Sequence, residues 1–165
     1  MDYDVSIDER IKLQELLEPM QTAEARLKRI IVVRLEEGER LPDCIEILAR
    51  RKKIRSALVL LLGGARDGTL VVGPCGRGKR RSVLTESFGK GREIMGIGTI
   101  FAGSSGPELH LHAAAGRGKG TLAGCGRTGL KVNIIIEAVI FELGGLSARR
   151  ALDPATGFHL LDLAR

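Results

Sequence analysis

Apolar residues that alternate with polar or small ones, interrupted at intervals by glycine, constrain the fold of this chain more than any other feature. The pattern starts at residue 56 and continues to about residue 143. Side chains on a β-strand point alternately to opposite faces, so a period of two indicates strands, and the intervening glycines indicate turns. One such turn signal is Arg66-Asp67-Gly68. The predicted strands are 57–62, 69–72, 83–87, 93–102, 108–114, 121–124 and 129–143.

The residues before this region predict one strand and one helix. Residues 29–35 are rich in β-branched side chains and indicate a first strand. A helix is expected from about Leu41, with Pro42 in its first turn. Its apolar face consists of Cys44, Ile45, Leu48 and Ala49. Cys44 is therefore predicted to be a core residue. We predict an α+β fold, with a mixed, mainly antiparallel sheet and a packed α-helix.

An additional helix is predicted at the N-terminus. Ser6-Ile7-Asp8-Glu9 has the pattern of a capping box, and an amphipathic stretch follows until Pro19. This acidic segment differs in composition from the rest of the chain. The expected organisation is an N-terminal helical extension over residues 1–28 and a single domain over residues 29–165.

Two histidines in one predicted strand indicate a metal site. His110 and His112 are two residues apart, so they share a face of the strand. Residues 113–121 are expected to form a hairpin loop that brings Cys125 next to them on the neighbouring strand. Two imidazoles and one thiolate suit zinc, with one coordination position left open, although another divalent metal would also be compatible. The alternative is a polar strand face without a metal.

Positive charge is concentrated in the middle of the chain. Residues 50–131 hold 16 Lys and Arg against 4 Asp and Glu, a net charge of +12, whereas the whole chain carries +6. Clustered cations attract phosphate backbones of any sequence, although a solvated surface would show the same pattern. The scarcity of aromatic residues, 3% of the chain, argues against a platform for base stacking. The candidate nucleic-acid-binding residues are Arg50, Arg51, Lys52, Lys53, Arg55, Arg77, Lys79, Arg80 and Arg81.

Cysteine usage and hydropathy indicate the cellular compartment. The chain has 3 cysteines without the spacing of a disulfide framework. It shows neither a signal peptide nor an apolar run long enough to cross a bilayer. We therefore expect a cytoplasmic protein without a membrane partner.

Several of these motifs together resemble the plant-and-prokaryote-conserved (PPC) domain. The resemblance extends from about residue 29 to residue 165. It rests on an ordered set of short segments: Arg34-Leu35-x-x-Gly38-Glu39-x-Leu41, Ser56-Ala57, residues 93–100, residues 107–112, residues 122–125 and residues 151–161.

The resemblance implies a homotrimer and DNA binding. In relatives the segment equivalent to Ala123-Gly124-Cys125 usually ends in His, so Cys125 would replace one metal-ligating residue type by another. We therefore expect a DNA-binding protein that contacts mainly the phosphate backbone and carries a His/His/Cys metal site. The alternative is a metal-dependent enzyme or a small-ligand-binding trimer with its site at a subunit interface. No catalytic residue is identified, because only position in the motifs favours Glu93, Glu108 or Glu137 as a general base.

Overall fold

A computed structural model describes residues 20–75, 82–126 and 129–163. This part of the chain contains ten strands and one short helix. In chain order they are β1 (Arg26–Glu36), β2 (Arg40–Leu41), α1 (Asp43–Arg51), β3 (Ala57–Cys75), β4 (Ser82–Phe88), β5 (Arg92–Ala102), β6 (Pro107–Arg117), β7 (Gly120–Cys125), β8 (Leu130–Gly144), β9 (Ala148–Leu152) and β10 (His159–Leu163).

The ten strands belong to one sheet, in which eight follow the order β1-β8-β3-β7-β6-β5-β9-β10. Strand β2 pairs with β8, and β4 pairs with β3. The pairing is antiparallel except between β5 and β9, which run parallel at Ala102 and Arg149. Strand β3 pairs with β5 along its first half and with β7 at Val71, so the sheet curls back on itself through β5, β6 and β7. The predicted mixed, mainly antiparallel sheet is confirmed.

The predicted turn at Arg66-Asp67-Gly68 is wrong, because β3 runs through it as a single strand of 19 residues. Asp67 pairs with Lys131 on β8, and Gly68 pairs with Leu130 on β8 and with Phe88 on β4. These partners satisfy the backbone of β3, so the chain bends at irregularities in register and does not reverse.

Elements near the two ends of the chain differ from the elements predicted there. The predicted N-terminal helix lies in residues 1–19, outside the described residues. Strand β1 starts at Arg26, within the segment expected to be an extension, because Arg26 and Leu27 pair with the end of β8. At the other end, β9 and β10 form a hairpin that the alternation pattern did not predict.

The core lies between the inner face of the sheet and the helix. Ile45 and Ala49 of α1 are fully buried there. On β6 the alternate residues Leu109 and Leu111 face the same core. Their side chains cover Gly98 and Gly96 on the paired strand β5, where an added Cβ would come within 2.9 Å of Leu109 Cδ1 and 3.0 Å of Leu111 Cδ1.

None of the helices in the described ranges is long and apolar enough to cross a membrane.

Gly63 in β3 is expected to tolerate no side chain. Its φ is +142°, and an added Cβ would contact the Ile135 carbonyl oxygen and lie 2.8 Å from the Ile136 Cα, both backbone atoms of β8. Gly63→Ala should lower the free energy of unfolding by about 3 kcal/mol. Urea denaturation measures this change.

Gly73→Ala is the matched control in the same strand, because a Cβ there has no neighbour within 4 Å. Equal stability of the two variants would contradict the described packing of β3 against β8.

Candidate metal centre and basic surface

The two histidines and Cys125 come together as predicted from the strand period. His112 on β6 lies directly opposite Cys125 on β7, and His110 is two residues before His112 on the same face. The hairpin turn that joins the strands is tighter than predicted, since β6 continues to Arg117 and the turn contains only Gly118 and Lys119. Most of the expected loop 113–121 is therefore strand.

The geometry of the three side chains suits a metal ion. Their ligand atoms all lie within 4.8 Å of one another. The Nε2 atoms of His110 and His112 are 3.2 Å apart. Two nitrogen ligands of a tetrahedral zinc ion, each about 2.05 Å from the metal, would be roughly 3.3 Å apart. The spacing of the two imidazole nitrogens therefore suits two ligands of one zinc ion, and Cys125 lies close enough to be a third.

The group lies beside an open groove of about 730 Å³. Cys125 is only 6% exposed, His110 is half-buried, and His112 is exposed. Besides these three residues, most of the lining is apolar, and part of it comes from the C-terminal hairpin. The apolar lining residues are Val71, Val72, Val83, Ala123, Phe158 and Leu160.

The polar residues that line this groove decide which chemistry it can support. Among the described residues its lining contains neither Asp nor Glu. Glu93, Glu108 and Glu137, the three glutamates favoured by their motifs, do not line it. Water activation by a carboxylate next to the group therefore has no support from the geometry.

An apolar row leads across the outer face of the sheet to His112. Neighbours in register, from β1 across β8, β3 and β5 to β6, are Val32, Val139, Leu60, Ile97 and His112. Val32 is 77% exposed and Ile97 is 63% exposed. Strands that are apolar on both faces are typical of sheets covered on both sides.

The predicted basic segment surrounds the C-terminal end of α1. Arg50, Arg51, Lys52, Lys53 and Arg55 are all exposed there. The chain leaves the helix through a Schellman motif, in which the Lys53 and Ile54 amides donate to the carbonyls of Arg50 and Ala49. The other predicted basic residues, Arg77, Lys79, Arg80 and Arg81, lie outside the described residues.

A buried carboxylate stabilises the sheet next to this segment. Glu142 is 3% exposed and accepts hydrogen bonds from Lys28, at 3.0 Å, and from Arg29 Nε. Burial acts to raise the pKa of Glu142, but the hydrogen bonds and charges of Lys28 and Arg29 outweigh it and hold the pKa below its usual value.

Cys44 behaves as the predicted core residue. It packs against the hydrophobic core. Burial, helped by the nearby charge of Glu39, raises the pKa of the Cys44 thiol to about 11. Little thiolate forms at neutral pH, so Cys44 is unsuited to nucleophilic or metal chemistry.

These features define a strand-rich protein with a candidate His/His/Cys centre on the outer face of its sheet. The sequence profile of the Plants and Prokaryotes Conserved (PCC) domain matches residues 22–144, and the chain belongs to this family. This confirms the resemblance to the PPC domain. No curated protein matches the chain in sequence.

Three solved structures share the fold. A metal-containing protein from Archaeoglobus fulgidus is 22% identical, with a TM-score of 0.76 over 86% of this chain and 98% of that one. A plant- and prokaryote-conserved protein from Pyrococcus horikoshii is 20% identical, with a TM-score of 0.76 over 88% and 99%. A candidate DNA-binding protein from Ralstonia eutropha is 21% identical, with a TM-score of 0.69 over 81% and 90%.

The groove beside His110, His112 and Cys125 was not predicted from the sequence. One signal was present, since the continuous apolar run 57–62 and the apolar outward residues Met95 and Ile97 indicate strands with two apolar faces. No sequence signal linked Phe158 and Leu160 to the histidines, because their proximity depends on how the C-terminal hairpin joins the sheet.

The Glu142 interactions predict a loss of stability in acid. A carboxyl group whose pKa is lowered in the folded state stabilises that state fully at pH values above its ordinary pKa of 4.5. This stabilisation is lost as the pH falls through the lowered pKa of the folded state. Glu142→Gln should lower the free energy of unfolding by about 2 kcal/mol at pH 7. It should also make this free energy depend less on pH below pH 4.5. Urea denaturation between pH 3 and pH 7 measures both.

Glu36→Gln is the control, because the Arg34–Glu36 pair is exposed. If the free energy of unfolding of Glu142→Gln changed with pH in parallel with that of the wild type, the lowered pKa of Glu142 would be contradicted.

Proposed function

We propose that this chain is a DNA-binding protein of the PCC family that contacts the phosphate backbone and carries a zinc ion on His110, His112 and Cys125. The observation that carries the DNA-binding part is the segment Arg50–Arg55, in which five of six side chains are cationic and exposed. Such a surface binds the phosphate backbone of nucleic acids of any sequence. The solved structure of the candidate DNA-binding protein from Ralstonia eutropha, which has the same fold, also supports this proposal.

The metal part of the proposal is supported by the geometry of the three ligands and by their chemistry. Imidazole nitrogen and thiolate sulfur are both preferred zinc ligands, and three protein ligands leave a fourth position for a water molecule or a ligand. The metal-containing protein from Archaeoglobus fulgidus shares this fold, which is consistent with the proposal.

We further propose a homotrimer in the cytoplasm. The exposed apolar row from Val32 to Ile97 supports association, because a contiguous apolar surface of this kind is seldom left in water. The row ends at His112, so a subunit packed on it would also border the metal group.

A second function remains a candidate because of the groove beside the histidines. The groove has a volume of about 730 Å³ and a mostly apolar lining, so it would accept a small molecule with an apolar body. A zinc ion there would act as a Lewis acid towards a carbonyl or phosphoryl oxygen. The lack of a carboxylate among the described lining residues favours ligand binding over hydrolysis.

Zinc content is expected to depend on Cys125. The wild-type protein should contain one zinc ion per chain, and Cys125→Ser or His112→Ala should lose it, because each removes one of three ligands. Elemental analysis measures the content. Cys125 should also resist thiol reagents until a chelator removes the metal.

Cys44→Ser is the matched control and should keep its zinc, since Cys44 packs against the core and has a raised pKa. Zinc retained at the wild-type level in both Cys125→Ser and His112→Ala would show that the metal binds elsewhere.

DNA binding is expected to depend strongly on salt and little on sequence. With about five phosphate contacts, the affinity should fall roughly 500-fold between 50 and 200 mM salt. Fluorescence anisotropy with two duplexes of unrelated sequence measures this.

Two results would contradict this proposal. One is the absence of binding at 50 mM salt, and the other is strong preference for one duplex that persists at 200 mM salt.

A further inference from the structure

Two adjoining pockets extend the basic surface beyond the segment at the end of α1. The first pocket, of about 450 Å³, is lined by Arg26, Lys28, Lys53 and Arg55 together with residues 143–148. The second, of about 570 Å³, is lined by Arg55, Arg149, Arg150 and His159. Arg55, Ser147 and Ala148 line both pockets, so the two form one groove with Arg55 at its centre.

Three cations of this groove are available for a ligand. Within the described part of the chain, the side chains of Arg26, Lys53 and Arg55 have no hydrogen-bond or ion-pair partner. The carboxylate of the first pocket, Glu142, is already paired with Lys28 and Arg29. Arg149 in the second pocket is paired with Asp162 at 2.8 Å. Among the residues that the structure describes, the groove therefore holds more positive charge than its acidic neighbours neutralise.

The backbone of Lys53 is a second, independent observation. Its φ is +55°, the left-handed region that side chains rarely adopt. Lys53 occupies the C′ position of the Schellman motif, which is usually glycine because glycine has no Cβ to strain. Strained residues cluster at functional sites, and the side chain of Lys53 lines the first pocket.

We propose that this groove is the phosphate-binding track of the protein, in which Arg26, Lys53 and Arg55 bind successive phosphates of a nucleic-acid backbone. The inference rests on the proposed DNA binding and deepens it, since it adds Arg26 and the C-terminal hairpin to the contact surface. Concave shape and several unpaired cations favour a chain of phosphates over a single anion.

The first test compares two double variants that remove equal charge. Arg26→Gln/Arg55→Gln should weaken binding of duplex DNA about tenfold at 50 mM salt and reduce the slope of log K against log salt by about two. Arg34→Gln/Arg66→Gln is the control, because both arginines lie outside the groove and pair with acidic side chains. Equal binding by the two double variants would overturn the inference, although binding by the wild type would still support the proposed function.

The second test uses Lys53→Gly. Relief of the left-handed strain should raise the thermal midpoint of unfolding, while loss of the cation weakens DNA binding. A more stable variant with unchanged DNA binding would overturn the role of Lys53.

Inorganic tripolyphosphate tests whether the groove binds phosphate, independently of whether the protein binds DNA. It should compete with DNA for the wild-type protein and bind the Arg26→Gln/Arg55→Gln variant at least tenfold more weakly, measured by calorimetry. If the wild type binds tripolyphosphate in this way but no duplex DNA, the phosphate groove stands and the proposed DNA binding fails. If it binds duplex DNA but tripolyphosphate does not compete, the groove inference fails.

Discussion

The register between β6 and β7 is the constraint on which the candidate site depends. His112 faces Cys125 because the tight turn at Gly118 and Lys119 pairs Arg117 with Gly120, and every later pair follows from that one. A slip of one residue would turn Cys125 towards the core and leave His110 and His112 without a third ligand. The alternate residues Leu109 and Leu111 of β6 point to the opposite face, where they cover Gly98 and Gly96 of β5 and help to hold β6 in place.

The outer face of the sheet connects this group with the rest of the molecule. Its apolar row ends at His112, and the groove beside the histidines is completed by Phe158 and Leu160 of the C-terminal hairpin region. The basic groove is lined by Arg149 and His159 of the same hairpin, and His159 lies between Phe158 and Leu160 in the chain. The C-terminal hairpin thus borders both candidate sites, although the family profile ends at residue 144.

Sequence reasoning predicted what depends on local periodicity. The period of two located six of the strands and put His110 and His112 on one face, and the hairpin placed Cys125 beside them. It failed at Arg66-Asp67-Gly68, where local turn chemistry was overridden by pairing with β8 and β4. Long-range pairing also explains why the groove around Arg55 was not foreseen, because Arg26 and Arg149 are far from Arg55 in the chain. These three arginines come close together only when the strands have paired in the folded sheet.

The central claim is that the β6–β7 register builds a metal centre with two nitrogen ligands and one sulfur ligand from the protein. X-ray absorption spectroscopy at the zinc edge tests it most directly, since sulfur and nitrogen neighbours give distinct distances, about 2.3 Å and 2.0–2.1 Å. We expect one sulfur neighbour in the wild-type protein and none in Cys125→Ser loaded with excess zinc. A first shell of nitrogen and oxygen alone in the wild-type protein would contradict it.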